Sequence, residues 1–119
     1  MSFKKLLDKG RVVCLCTASK NGKPNAIFAE SWLFKNKVLI VDCHMKKTVK
    51  NLKENNQVSL IAQNCKEYYQ IKGIAEYCIK GKWLEKARQI VKGTKYKAKG
   101  TVVISIKEVY DLDSRKKLL

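Results

Sequence analysis

The run Asp42-Cys43-His44-Met45-Lys46-Lys47-Thr48-Val49-Lys50-Asn51-Leu52 holds the densest set of groups in the chain that could do chemistry. Met45, Val49 and Leu52 follow at spacings of four and three, so on a helix they share an apolar face. Lys47 and Asn51 are four apart, and Thr48 and Asn51 three, so these polar groups share another face. A helix start offers free N–H groups and the positive end of the dipole, which suits an anion. Lys47 would add a point charge and Thr48 a hydroxyl donor, together enough to hold one phosphate monoester. The competing reading is a solvated, lysine-rich helix start capped by Thr48, and the local residues fit both.

The elements that would position this run can be read on either side of it. Ser2 to Asp8 reads as a short helix with Phe3, Leu6 and Leu7 facing inward, ended by Gly10. Arg11 to Ala18 is strand-like and apolar on both faces, Val13 and Leu15 on one, Val12, Cys14 and Cys16 on the other. Asn21-Gly22 predicts a two-residue hairpin turn. Pro24 to Phe34 and Lys37 to Val41 follow as strands around a turn at Lys35-Asn36, and the helix after them runs to about Asn55. Gln57 to Gln63 is the next strand. Tyr68 to Ile79 alternates apolar and polar residues, with Gly73 as the mark of a bulge or of close approach by a ligand. Lys82 to Val91 carries Trp83, Leu84, Ala87, Ile90 and Val91 on one helical stripe, and Gly93 stops it. Thr101 to Tyr110 is the last strand, and Asp111 to Leu119 a polar tail. Six strands joined mostly by hairpins predict a mainly β single domain over residues 1–119: a six-stranded antiparallel barrel with short flanking helices.

The chain has 119 residues, 26 Lys and Arg against 10 Asp and Glu, and a formal net charge of +16. That excess invites a nucleic-acid reading. Against it, Arg11, Arg88 and Arg115 are the only arginines, and lysine lacks the fork that reads bases and phosphates bidentately. The lysines are also spread along the chain. A nucleic-acid-binding barrel would stack bases on aromatic residues beside lysines, for which Tyr68 near Lys66 and Lys72 is thin support. No run approaches the roughly 20 apolar residues of a membrane-spanning helix.

The five cysteines, Cys14, Cys16, Cys43, Cys65 and Cys78, lack the spacing of a four-ligand metal site and read as reduced thiols in a cytoplasm. His44 is the only histidine and has no triad partner at a recognisable spacing. Glu30 and Asp42 are isolated carboxylates. Neither G-x-G-x-x-G nor GxxxxGK[ST] occurs, so no Rossmann or P-loop geometry holds a nucleotide.

The order of features is more specific than any one motif. A strand opening on Gly-Lys-Pro-Asn leads to Ile-Val-Asp, Lys-Lys-Thr-Val-Lys-Asn-Leu-Lys-Glu-Asn, Val-Ser-Leu-Ile and Tyr-Gln-Ile-Lys-Gly-Ile-Ala-Glu. This order resembles the FMN-binding split-barrel family related to pyridoxamine 5′-phosphate oxidase, in particular its small flavin-binding members. The resemblance runs from Arg11 to about Tyr110. It implies a six-stranded split barrel that is homodimeric, with one FMN per subunit at the interface. Lys47 and Thr48 match the phosphate pair, and Asn51 a helix position near it. Val41 and Asp42 match the strand end beside the ribityl chain and ring. Ile27, Phe28 and Ala29 match the segment whose main chain faces the isoalloxazine. The large oxidases carry arginine where this chain has Lys47, and hold their substrate with a C-terminal arginine-rich segment beyond this length. The resemblance therefore implies a small FMN-dependent oxidoreductase or electron-transfer protein with an unidentified redox partner, and not a vitamin B6 oxidase. A protein of the same fold binding the deazaflavin F420 is the alternative.

Overall fold

The structure is a computed structural model that describes residues 2–119; Met1, the start of the predicted N-terminal segment, lies outside them. Six strands form one closed antiparallel barrel: β1 (Arg11–Ala18), β2 (Pro24–Phe34), β3 (Lys37–Asp42), β4 (Gln57–Gln63), β5 (Tyr68–Cys78) and β6 (Gly100–Asp111). Around the barrel they run β1-β2-β3-β6-β5-β4. Helix α1 (Lys47–Glu54) joins β3 to β4, and α2 (Lys82–Val91) joins β5 to β6.

Period-two alternation fills the interior. Val13 and Leu15 of β1 meet Val38 and Ile40 of β3, Leu60 and Ala62 of β4, Ile71 of β5 and Val102 and Ile104 of β6, all essentially inaccessible to solvent. A 3-10 helix, Ser2–Leu7, plugs one end with Phe3, Leu6 and Leu7. It is tied there by the Ser31 hydroxyl donating to the Leu7 carbonyl at 2.8 Å and the Leu33 N–H donating to Asp8 Oδ1 at 2.9 Å. Helix α1 closes the other end with Leu52.

Several local expectations change. The β1–β2 connection is a three-residue loop: the Gly22 N–H bonds the Ser19 carbonyl, the Ser19 N–H bonds the Lys23 carbonyl, and Gly22 takes φ +83°. The turn thus lies on Lys20-Asn21 with Gly22 as a bulge residue, a three-residue hairpin loop and not a two-residue one. The approach at Gly73 is by a neighbouring strand. A Cβ there would stand 2.5 Å from the Ser105 carbonyl oxygen of β6, beside a register shift that leaves Lys107 unpaired. Strand β5 ends at Cys78, and Ile79 is exposed. The polar tail folds back on β6, with the Leu118 N–H donating to the Val109 carbonyl at 2.7 Å. No helix among the described residues is long and apolar enough to cross a membrane.

Candidate functional site

The barrel is closed but unevenly stitched. Strand β2 pairs with β1 along Pro24 to Ser31, yet with β3 only through Trp32, Leu33 and Phe34. From Pro24 to Ser31 its second edge has no strand beside it among the described residues. In an antiparallel ladder alternate residues turn N–H and C=O to opposite sides, so half of those groups face away from β1. That free edge, the end of β3 and the start of α1 enclose a cleft of about 480 Å³. Ile27, Phe28, Ala29, Val41, Lys47 and Thr48 all line it.

Helix α1 begins without a side-chain cap: Lys46 occupies the cap position, Lys47 the first helical position and Thr48 the second. The reading of Thr48 as the cap is therefore corrected. The first N–H groups of a helix have no intrahelical acceptor, and those of Lys47, Thr48 and Val49 find none elsewhere among the described residues. The shared polar face is also corrected. Lys47 is exposed and unpaired among the described residues, whereas Thr48 and Asn51 are buried. Thr48 Oγ1 accepts from the Asn25 amide at 3.3 Å, which leaves its own proton free to donate into the cleft. Asn51 lies behind the wall, its amide donating to Thr17 Oγ1 at 3.1 Å while its Oδ1 has no partner among the described residues. It braces α1 on β1 and does not line the cleft.

The Asp42 carboxylate, read from the sequence as isolated, has two partners. It is fully buried beneath the cleft. Oδ1 accepts the Met45 N–H at 2.7 Å, and Oδ2 accepts the Tyr77 hydroxyl. Asp42 thereby sets the turn from β3 into α1, and its side chain is kept from a ligand. Gly100 is needed beside it, because a Cβ there would collide with the Tyr77 ring and hydroxyl. Burial, and after it the bond to Asp42, pushes the Tyr77 phenol well above its ordinary value. A group whose folded value is raised holds its stabilisation below the unfolded value and loses it as pH rises. We expect the Tyr77 contribution to be complete below pH ~10 and to decline above it. Alkaline unfolding of Tyr77→Phe, compared with the unmodified chain, should show a shallower loss of stability over that range.

The outer wall is only partly legible in the sequence. Cys43, His44, Met45 and Lys46, inside the run 42–52 singled out there, line the cleft from the β3–α1 turn, whereas Val91 and Tyr96, from the end of α2 and the loop after it, carry no sequence signal. The His44 and Tyr96 rings meet edge-on at 6.2 Å. Nothing local signals Tyr96, because the contact depends on how α2 packs. Cys43 is held as a thiol, its value raised by burial and then by the Asp42 charge. Glu30 is the one carboxylate among the lining residues.

A barrel split along one strand edge above a bare helix start is a split barrel. The chain belongs to the pyridoxamine 5′-phosphate oxidase family, whose profile matches residues 2–113. An uncharacterised protein of Methanocaldococcus jannaschii is 45% identical over 113 residues, covering 89% of this chain and 76% of that protein. Among solved structures, HupZ of Group A Streptococcus has a TM-score of 0.89 at 18% identity, covering 99% of this chain and 97% of that one. An FMN-binding protein of Syntrophomonas wolfei has a TM-score of 0.73 at 15% identity, with 91% and 86% covered. At these identities the structural likeness establishes the fold.

Proposed function

We propose that this protein is a small flavoprotein that binds FMN in the split-barrel cleft and works as an oxidoreductase or electron carrier. The observation that supports the reading most strongly is convergence. A main-chain edge at Ile27 to Ala29, the N–H groups of Lys47 and Thr48 and the Lys47 ammonium all border one cleft, none of them with a strand partner, acceptor or counter-ion there among the described residues. Its volume of about 480 Å³ is in the range of roughly 300–1,000 Å³ that accepts a cofactor-sized molecule. In this reading Lys47, Thr48 and the start of α1 hold the phosphate. The β2 edge offers hydrogen bonds to the ring, and Val41 packs beside it. Bound there, a flavin would supply electron transfer in one- or two-electron steps, while the chain sets its orientation and shields it from water. All five cysteines are free thiols, which suits a reducing, cytoplasmic setting. Release of the cofactor from the purified protein and its mass determination test the reading. FMN is expected; a deazaflavin would keep the site and change the chemistry, and a colourless protein that takes up neither would refute it.

The working unit in this proposal is a homodimer. The outer face of β1 and β2 carries Val12 at 59% and Phe28 at 81% exposure, and an apolar patch of this kind marks an association surface. Phe28 also lines the cleft, so a second copy over this face would complete its wall. Phe28→Asp is expected to shift sedimentation from dimer to monomer and to weaken cofactor retention. A wild-type monomer that still holds its cofactor would contradict the dimer.

A further inference from the structure

Cys14 and Cys16 sit two apart on β1 and point out of the barrel, on the face opposite to Val13 and Leu15. Neither lines the flavin cleft. Their sulfurs lie 3.9 Å apart, and both side chains are half-buried. Around them the register places Phe28 and Ala26 of β2 and Ile61 and Ser59 of β4, so the immediate setting is mostly apolar and holds no carboxylate.

A disulfide does not fit this placement. Residues i and i+2 of a strand are about 6.6 Å apart along the chain with parallel side chains, whereas a disulfide requires Cβ atoms roughly 3.5–4.5 Å apart. A bridging ion does fit. Two metal–thiolate bonds of about 2.3 Å span ~4.6 Å when collinear, the arrangement of a two-coordinate ion, so the sulfurs, 3.9 Å apart, reach it by opening ~0.7 Å through side-chain rotation. Zinc wants four ligands, and no group of three His, Cys, Asp or Glu suited to a metal exists among the described residues. Thiolates select soft ions, and monovalent copper is the soft biological ion satisfied by two.

We propose that Cys14 and Cys16 form a two-thiolate site for monovalent copper, outside the lining of the flavin cleft and, because Cys14 faces Phe28 on the surface the dimer would cover, reached from the Cys16 side. Binding would break two S–H bonds, form two Cu–S bonds and release two protons to solvent. Copper stays monovalent and no electron moves. The resulting complex carries one negative charge. Cys16 borders an open hollow of about 380 Å³ whose rim carries Lys72 and Lys107 against Glu108. That hollow gives the ion a route to the sulfurs, and its net positive rim favours an anionic complex.

The test is an anaerobic titration of the full chain with Cu(I) presented as its bicinchoninate complex. One copper per chain should leave the chelator. Cys14→Ser and Cys16→Ser should each weaken uptake by at least ~100-fold, because losing a ligand costs more than losing an outer-shell partner, worth 10–100-fold. Cys65→Ser and Cys78→Ser should take up copper as the wild type does. X-ray absorption of the copper-loaded wild type, which needs no variant to fold, should find two sulfur neighbours and no nitrogen. Uptake that survives the Cys14→Ser/Cys16→Ser double change, three or more sulfurs on the metal, or no uptake by the wild type would each overturn the proposal.

Discussion

Lys47→Ala is expected to weaken FMN binding by roughly 10- to 150-fold while leaving riboflavin almost unaffected. The ammonium stands on the first helical position of α1, borders the cleft and has no partner among the described residues. A phosphate placed there would be its counter-ion. One charge-assisted hydrogen bond contributes roughly 1.5–3 kcal/mol, and about 1.4 kcal/mol is a factor of ten. Riboflavin has no phosphate and so nothing to lose. Thr48→Ala should act in the same direction but less, since it removes a neutral hydroxyl. Lys50 is exposed and outside the cleft lining, so Lys50→Ala is the control. Lys46 cannot serve, because it lines the cleft. Equal losses for FMN and riboflavin would mean that Lys47 acts through the fold.

The opposite signature is expected of Asp42→Ala. Its buried carboxylate accepts from the Met45 N–H and the Tyr77 hydroxyl. Hydrogen bonds to a charged group contribute roughly 1.5–3 kcal/mol each, and both half-buried donors would lose their acceptor. The loss should be at least about 3 kcal/mol, or roughly 10 °C in Tm for a domain of this size. Because Asp42 holds the turn that presents α1, FMN and riboflavin affinities should fall together. Denaturant unfolding with paired titrations separates the two classes of effect. An Asp42→Ala protein of native stability that loses FMN alone would show that the carboxylate meets the ligand directly.

Much of the barrel is legible in the sequence because its strands are either apolar runs, as in β1, or alternate, as in β4 and β5, and its turns carry Gly or Asn. Arg11–Ala18, Pro24–Phe34 and Gln57–Gln63 follow from periodicity at their observed bounds. The hairpin at Gly22 is legible as a turn but not as a three-residue loop, since Asn-Gly suits both and the pairing of Ser19 with Lys23 decides. In the site, helical spacing put Lys47, Thr48 and Asn51 on one face. Spacing gives direction around an axis but not what lies opposite, so it could not tell that Thr48 and Asn51 turn into β1 and β2 while Lys47 stays in solvent. Asp42 read as an isolated carboxylate because its partner Tyr77 is 35 residues away. Tyr96 reaches His44 only through the packing of α2, a tertiary event with no local mark.

The most direct test of the central claim is an equilibrium titration of the cofactor-free chain with FMN and, in parallel, with riboflavin. Saturation is expected at one FMN per chain, with riboflavin bound in the same cleft more weakly by at least the roughly 10- to 150-fold share of Lys47, since it also forgoes the bonds of Thr48 and the α1 start. No saturable FMN binding, or equal affinity for the two ligands, would contradict the claim.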